Sequence, residues 1–286
     1  LDRDLVVVTG KGGVGKSTLA AAIAIVAARR GLRVVVAEVG GRSDTARLLA
    51  GQGVDHVSIT PREAMEEYLH DQLPSPLAAL LGSSGTFAAF VDATPGMHEL
   101  LTIGKVWELA GDARRRADDE PYELVVLDAP ASGHGLALLG APRTFSEAAM
   151  VGPIHRQAGT IHAMLSDPAR TAVVAVTLPE EMPVNETLEL RDALRERMGL
   201  ELSLVVANGV VADRLTDEDA KQLEALAAPH DSPVGAALWG HRRAVSQREQ
   251  LQRLREGLDG DALEIPLFFA AGPGGDEVAD LLEAGL

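Results

Sequence analysis

The chain of 286 residues carries a formal net charge of −16 and contains no cysteine. The lack of cysteine excludes disulfides, iron–sulfur clusters and thiolate-bound metals, and the acidic balance argues against a nucleic-acid partner, which needs clustered Lys and Arg. No apolar run reaches the roughly 18 residues of a transmembrane helix, and Leu1–Asp4 lacks the pattern of a signal peptide, so we expect a cytoplasmic protein without a membrane span.

Short apolar segments alternate with longer helical patterns along the chain. The first of these segments is followed by an Ala-, Ile- and Val-rich helix at Ser17–Arg30, which is apolar all round and is therefore expected to be buried. This alternation predicts an α/β fold with a mostly parallel sheet flanked by helices. The predicted strands are Leu5–Thr9, Leu32–Val39, Glu123–Asp128, Thr171–Thr177, Leu202–Asn208 and Leu263–Leu267.

The alternation breaks between residues 54 and 120, where helical patterns replace strand signals. Thr60-Pro61 is typical of a helix N-terminus, and further helices are predicted at Leu77–Val91 and Met97–Ala117. A second helical piece is predicted over residues 144–166. We therefore interpret residues 1–286 as one domain with a helical insertion over about 54–120 and a second candidate insertion over 144–166.

The segment after the first strand has the pattern of a phosphate-binding loop, G-x-x-x-x-G-K-[ST], between a strand and a helix. Its glycines let the backbone wrap around an anion, and the helix N-terminus favours negative charge. Lys16 is expected to contact the phosphates of ATP or ADP, and Ser17 to bind Mg²⁺; a glycine-rich turn without a ligand is the alternative. The candidate nucleotide-binding residues are Gly10, Lys11, Gly12, Gly13, Val14, Gly15, Lys16, Ser17 and Thr18.

An aspartate ends the third predicted strand, in the segment Asp128-Ala-Pro-Ala-Ser-Gly-His134. A carboxylate at that place suits a magnesium site, where it would hold a water ligand of the ion. The alternative is that Asp128 caps the following helix. We predict that Asp128 binds Mg²⁺ through water.

Two motifs together resemble a family of nucleotide-binding ATPases. Lys11 directly after Gly10 gives the variant loop K-G-G-x-G-K-[ST], and Asp128, Gly133 and His134 match the family's D-T-A-P-T-G-H-T-L segment. The chain thus resembles the ArsA or anion-transporting ATPases, which are related to the tail-anchored-protein targeting ATPases, MinD, ParA and the nitrogenase iron protein. The resemblance implies that Lys11 crosses a nucleotide-dependent dimer to the partner's phosphates; a solvated Lys11 is the alternative.

The resemblance covers the chain from Leu5 to about Leu267. It includes Leu178–Thr187, the stretch that follows the fourth core strand in relatives. Asn208 falls where relatives place the amide that reads adenine, although it could equally be a turn residue. Pro266 falls in the Ile-Pro-Leu segment beside the base. The resemblance therefore implies that Asn208 and Pro266 contact the nucleotide.

Two features depart from the family. Relatives that bind arsenite use cysteines, so the absence of cysteine excludes thiolate-bound arsenite. Relatives also end their second strand in an aspartate that orients the attacking water, and Gly40 stands at that position here. Glu38 lies two residues earlier on the same strand face, and Asp44 lies in the next turn. Hydrolysis is therefore expected to be slow, to use another carboxylate such as Glu38, or to be lost.

These observations favour a nucleotide-dependent ATPase that closes as a homodimer or as a heterodimer with a paralogue, with an unknown client or membrane-associated partner. A non-hydrolysing partner subunit is one alternative. A positioning ATPase of the MinD or ParA type is another, although the acidic C-terminal residues 276–286 are unsuited to anionic lipid. We treat Lys11, Lys16, Glu38 and Asp128 as the candidate catalytic residues.

Apolar residues of the helical insertion allow two interpretations. Exposed, they would form a groove for an apolar client helix; buried, they would form the core of the helical lobe itself. These residues are Leu77, Leu80, Leu81, Phe87, Phe90, Val91, Met97, Leu100, Leu101 and Ile103.

Overall fold

A computed structural model describes residues 2–40, 44–82, 84–111, 121–149, 151–226, 228–229, 231–268 and 274–285. Its centre is a seven-stranded sheet, parallel throughout, with the order β3-β2-β4-β1-β5-β6-β7. The predicted α/β class with a parallel sheet is confirmed. The strands are β1 (Leu5–Gly10), β2 (Val34–Val39), β3 (Asp55–Ile59), β4 (Leu124–Asp128), β5 (Thr171–Thr177), β6 (Leu204–Val210) and β7 (Leu263–Pro266).

Twelve helices are seen among the described residues. They are α1 (Lys16–Arg29), α2 (Asp44–Leu48), α3 (Pro61–Gln72), α4 (Ser75–Gly82), α5 (Gly85–Ala93), α6 (Met97–Leu109), α7 (Ser132–Ala149), α8 (Pro153–Ser166), α9 (Glu181–Met198), α10 (Asp217–Ala225), α11 (Pro233–Leu258) and α12 (Gly275–Gly285). Within this part of the chain, no helix combines the length and apolarity needed to cross a membrane.

The sheet is buried on both faces, which explains why its strands are apolar at nearly every position. All six residues of β1 are buried. One face packs against α1, whose residues from Leu19 to Ala27 are all buried, and the other packs against α7, α8 and α9. The small alanine side chains let α1 pack closely against the sheet. This packing holds the start of α1, and therefore the end of the loop that precedes it, in a fixed position.

The edge strand β3 corrects the predicted boundary of the helical insertion. Residues 55–59 pair with β2 in parallel register, so the helical part begins at Pro61 and not near residue 54. The sequence Asp-His-Val-Ser-Ile was not predicted as a strand because it is short and polar. An edge strand faces solvent along one side, and β3 is accordingly only partly buried.

The helical lobe also differs in detail from the sequence prediction. The helix predicted at Leu77–Val91 is two helices, α4 and α5, and α4 begins two residues before the predicted start, at Ser75. The predicted helix Met97–Ala117 is observed as α6 to Leu109, and residues 112–120 lie outside the described residues. The second helical piece, over 144–166, consists of the end of α7 and the whole of α8, joined near Gly152, whose φ is 103°.

Part of the lobe packs on itself. Met65, Leu69, Ala78 and Val91 form a small core of their own, and Ile103 is fully buried against the main core. In contrast, the side chains of Leu77 and Leu80 are 44% and 65% exposed on α4. The side chains of Phe87 and Phe90 lie outside the described residues.

The close contact between α7 and β1 at Gly135 can be tested by substitution. A Cβ atom built on Gly135 would lie 2.9 Å from Thr9 Oγ1 and 3.2 Å from the Pro130 carbonyl oxygen. Gly135→Ala is therefore expected to lower the free energy of unfolding by about 1–3 kcal/mol through overpacking. Gly140→Ala is the matched control, because a Cβ there meets nothing within 4 Å and alanine favours the helix by up to about 1 kcal/mol. Urea denaturation measures both; equal effects of the two variants would contradict the predicted clash.

Candidate nucleotide-binding site

The phosphate-binding loop joins the end of β1 to the start of α1. Gly15 caps α1 with a φ of 101°, and a Cβ built on it would lie 2.4 Å from Asn208 Nδ2. A side chain at this position would therefore be strained and would clash. Lys16 begins the helix, and its ammonium donates to the Lys11 carbonyl oxygen across the loop at 3.0 Å. The lysine thus lies over the loop, at the positive end of the helix.

A hydroxyl and a carboxylate meet beside this loop. Ser17 Oγ donates to Asp128 Oδ2 at 2.6 Å, and Thr45 Oγ1 donates to the same oxygen at 3.3 Å. Burial raises the pKa of Asp128, and Glu38 raises it further, while the Ser17 hydrogen bond and the charge of Lys16 lower it. The predicted magnesium residues Ser17 and Asp128 are therefore in direct contact in the structure.

Glu38 lies beside Asp128 at the end of the neighbouring strand. The two residues are register partners across β2 and β4, and Glu38 is 3% exposed. Its Oε2 is 3.0 Å from His56 Nε2 on β3. The fold therefore brings two carboxylates together at the same edge of the sheet, one held by hydroxyls and the other by an imidazole.

Lys11 is held within its own chain. Its ammonium forms a 2.6 Å ion pair with Glu186 Oε1 on α9, and Glu186 Oε2 accepts a hydrogen bond from Ser132 Oγ at 3.3 Å. Ser132 begins α7 just after the segment that contains Asp128. Glu186 thus links the phosphate-binding loop to the segment after β4.

Asn208 contacts the loop from β6, and Pro266 lies on the neighbouring strand β7. Asn208 Nδ2 donates to the Val14 carbonyl oxygen at 2.8 Å, so this amide already supports the loop backbone. Gln247, which is 3% exposed, accepts from the Val211 amide at 2.7 Å and donates to the Gly209 carbonyl oxygen at 3.1 Å. Pro266 is exposed on β7 and pairs in register with Val210.

Comparison with known protein families identifies the family of this chain. The sequence profile of the CobQ/CobB/MinD/ParA nucleotide-binding domain matches residues 5–256, which is most of the chain. The chain belongs to this family. Membership in the CobQ/CobB/MinD/ParA family agrees with the parallel sheet and with the position of the loop between β1 and α1.

Several curated relatives carry ATPase names, in agreement with the predicted likeness to ArsA. The protein "ATPase BagA" of Mycobacterium tuberculosis is 32% identical over 231 residues, covering 74% of this chain and 66% of the relative. An "Arsenical pump-driving ATPase" of Escherichia coli is 27% identical over 254 residues, covering 82% and 41%. Another of that name from Acidiphilium multivorum is 29% identical over 211 residues, covering 70% and 33%. The chain thus spans only part of the length of these relatives.

Gly40, where the ArsA resemblance implies an aspartate, has a φ of 96°. A Cβ there would meet nothing within 4 Å, so space is available, but the backbone conformation disfavours any residue except glycine. An aspartate introduced at Gly40 would therefore restore the carboxylate at the cost of backbone strain. Asp44, the other nearby acid, begins α2, and its side chain lies outside the described residues.

Sequence reasoning missed four polar residues that the structure places at or beside the candidate site. Each acts through a contact with a distant part of the chain, and none belongs to the phosphate-loop motif. A histidine in a short polar segment, or a glutamine in a long helix, is usually exposed to solvent. The neighbouring sequence therefore does not indicate that it contacts a distant residue. These residues are Thr45, His56, Glu186 and Gln247. His134, quoted for the resemblance, is exposed in the first turn of α7.

Proposed function

We propose that this protein binds and hydrolyses Mg-ATP and uses the nucleotide to switch between an open form and a closed dimer. The observation that carries the proposal is the cluster of Lys11, Lys16, Ser17 and Asp128 around one glycine-rich loop. The two lysines and the acid–hydroxyl pair would supply the charge stabilisation that phosphoryl transfer from a magnesium-bound triphosphate needs.

The donor groups fit magnesium and a triphosphate. Mg²⁺ prefers oxygen ligands and retains several waters, and the 2.6 Å contact of Ser17 with Asp128 offers a hydroxyl and a carboxylate oxygen. Ser17 would bind the ion directly and Asp128 would hold one of its waters. Bound magnesium would neutralise phosphate charge, while Lys16 and the amides of the loop would hold the phosphate oxygens.

Asn208 and Pro266 are proposed to border the adenine. Asn208 uses one amide hydrogen on the Val14 carbonyl oxygen, and an amide side chain has a second hydrogen and an oxygen left for a base edge. Gln247 fixes the backbone on both sides of Val210, so it would keep this border rigid.

Exposed apolar side chains around the start of α9, the helix that carries Glu186, support closure as a dimer. Met182 lies one turn before Glu186 on α9 and is 59% exposed. Trp239 is 55% exposed; Arg243 covers its ring at 5.5 Å and also pairs with Glu180 at 2.9 Å. Large apolar groups on a surface beside a functional lysine are typical of a protein interface.

Dimer closure provides the test of the proposed function. Lys11→Ala is expected to leave the affinity of the monomer for nucleotide within about threefold, because the Lys11 pair is partly exposed. Closure should instead require about tenfold more nucleotide, because a charge-assisted contact to the partner's phosphates is lost. Light scattering with Mg²⁺ and the non-hydrolysable β,γ-imido analogue of ATP measures closure.

The matched control is Lys221→Ala on the exposed surface of α10, which should close like the wild type. A wild-type complex that stays monomeric at saturating analogue would contradict the dimer switch. Equal closure by Lys11→Ala and wild type would contradict the role of Lys11.

The exposed part of α4 supports an apolar client as a second candidate partner. Leu77 and Leu80 are exposed on α4, whereas Ala78 on the same helix is buried in the small core of the lobe. A client helix would cover these side chains in the helix-in-groove manner. Cross-linking from position 80 to an added apolar peptide, compared with a Leu80→Ser variant, tests this contact.

A further inference from the structure

The ion pair between Lys11 and Glu186 occupies the lysine that the proposed dimer needs. The two charged groups are 2.6 Å apart, and their side chains are 34% and 29% exposed. Glu186 Oε2 is also bonded to Ser132 Oγ at 3.3 Å. One carboxylate on α9 therefore contacts both the phosphate-binding loop and the first residue of α7.

In the proposed dimer, the Lys11 ammonium leaves Glu186 to reach the phosphates bound to the second subunit. A lysine side chain has a flexible four-carbon stem, so it can leave one partner for another. Lys11 leaves Glu186 only when another negative charge competes for it, because a partly exposed ion pair contributes a small stabilisation to the arrangement in which it forms. The phosphates of a bound nucleotide supply such a charge, and they also repel the Glu186 carboxylate.

We propose that Glu186 is a positioning residue that holds Lys11 within its own protomer until nucleotide and a second copy of the chain draw the lysine away. This inference rests on the proposed function of the site as a dimer switch. Ser132 gives Glu186 its second hydrogen bond. If the segment between Asp128 and Ser132 moves, this hydrogen bond breaks and the ion pair between Glu186 and Lys11 weakens. The position of that segment therefore influences whether Lys11 stays bound to Glu186.

The hold on Lys11 is tested first in the nucleotide-free protein. Amine acetylation by a limiting amount of an N-hydroxysuccinimide ester, followed by mass spectrometry, reports how accessible each lysine is. Glu186→Gln keeps the size of the side chain and removes its charge, so Lys11 should be labelled about two- to fivefold faster than in the wild type. Lys105 and Lys221 provide internal references whose rates should not change.

Glu189→Gln is the matched control, because Glu189 is exposed on the same helix one turn further along. It should leave the labelling of Lys11 at the wild-type rate. An unchanged or slower rate at Lys11 in Glu186→Gln overturns the inference, provided that thermal melting shows this variant to be folded.

The consequence for closure is tested with Mg²⁺ and the β,γ-imido analogue of ATP. Glu186→Gln should form the dimer at an analogue concentration about two- to fivefold lower than the wild type, whereas Glu189→Gln should match the wild type. If the wild type dimerises and Glu186→Gln needs the same or a higher analogue concentration, the inference is overturned. A wild type that never dimerises, together with faster labelling in Glu186→Gln, refutes the dimer switch but supports the hold on Lys11.

Discussion

Lys16→Ala is expected to lower the affinity for Mg-ATP by about 100-fold or more, equivalent to about 2.7 kcal/mol. Lys16 begins α1, and its ammonium lies across the phosphate-binding loop on the Lys11 carbonyl oxygen at 3.0 Å. Its charge also lowers the pKa of Asp128. The substitution therefore removes a cation that lies across the loop at the proposed phosphate position and that acts on the magnesium carboxylate.

Titration calorimetry with the non-hydrolysable analogue and Mg²⁺ measures this loss of affinity. Lys221→Ala removes the same charge from the exposed surface of α10 and should bind like the wild type, which controls for the change in net charge. Circular dichroism checks that the Lys16 variant remains folded. Equal affinity of wild type and Lys16→Ala would show that the loop does not hold the phosphates.

Glu38→Gln is expected to slow hydrolysis by about 10²–10⁴-fold, the usual cost of losing a general base or the residue that orients water. Glu38 is buried next to Asp128, and His56 fixes one of its oxygens at 3.0 Å. Since glycine occupies the position of the expected aspartate, we propose that Glu38 is the carboxylate that acts on water. Glutamine keeps the shape of the side chain but cannot accept a proton.

Single-turnover hydrolysis at saturating Mg-ATP separates the chemical step from binding. Asp55→Asn, on the exposed end of the adjacent β3, is the matched control and should keep the wild-type rate. Gly40→Asp should raise the rate less than tenfold, because the φ of 96° strains any side chain there. A slow wild-type rate that Glu38→Gln leaves unchanged would favour the non-hydrolysing partner subunit.

The sequence by itself determined the phosphate-binding loop, the apolar strands of the parallel sheet and the aspartate that ends β4. These features are readable because their physics is local. A glycine-rich turn, a run of Val and Leu, and a helix start each depend on neighbouring residues. For the same reason the family could be identified from Lys11, Lys16 and Asp128 together with the residues beside them.

Only the tertiary structure decided which distant groups meet at this site. Lys11 and Glu186 are separated by 175 positions in the chain and Ser17 and Asp128 by 111, yet parallel strands bring their carboxyl ends to the same edge of the sheet. The edge strand β3 forms because β2 offers it a partner, and it brings His56 to Glu38. Such contacts depend on register and packing between strands and helices, which no local residue pattern specifies.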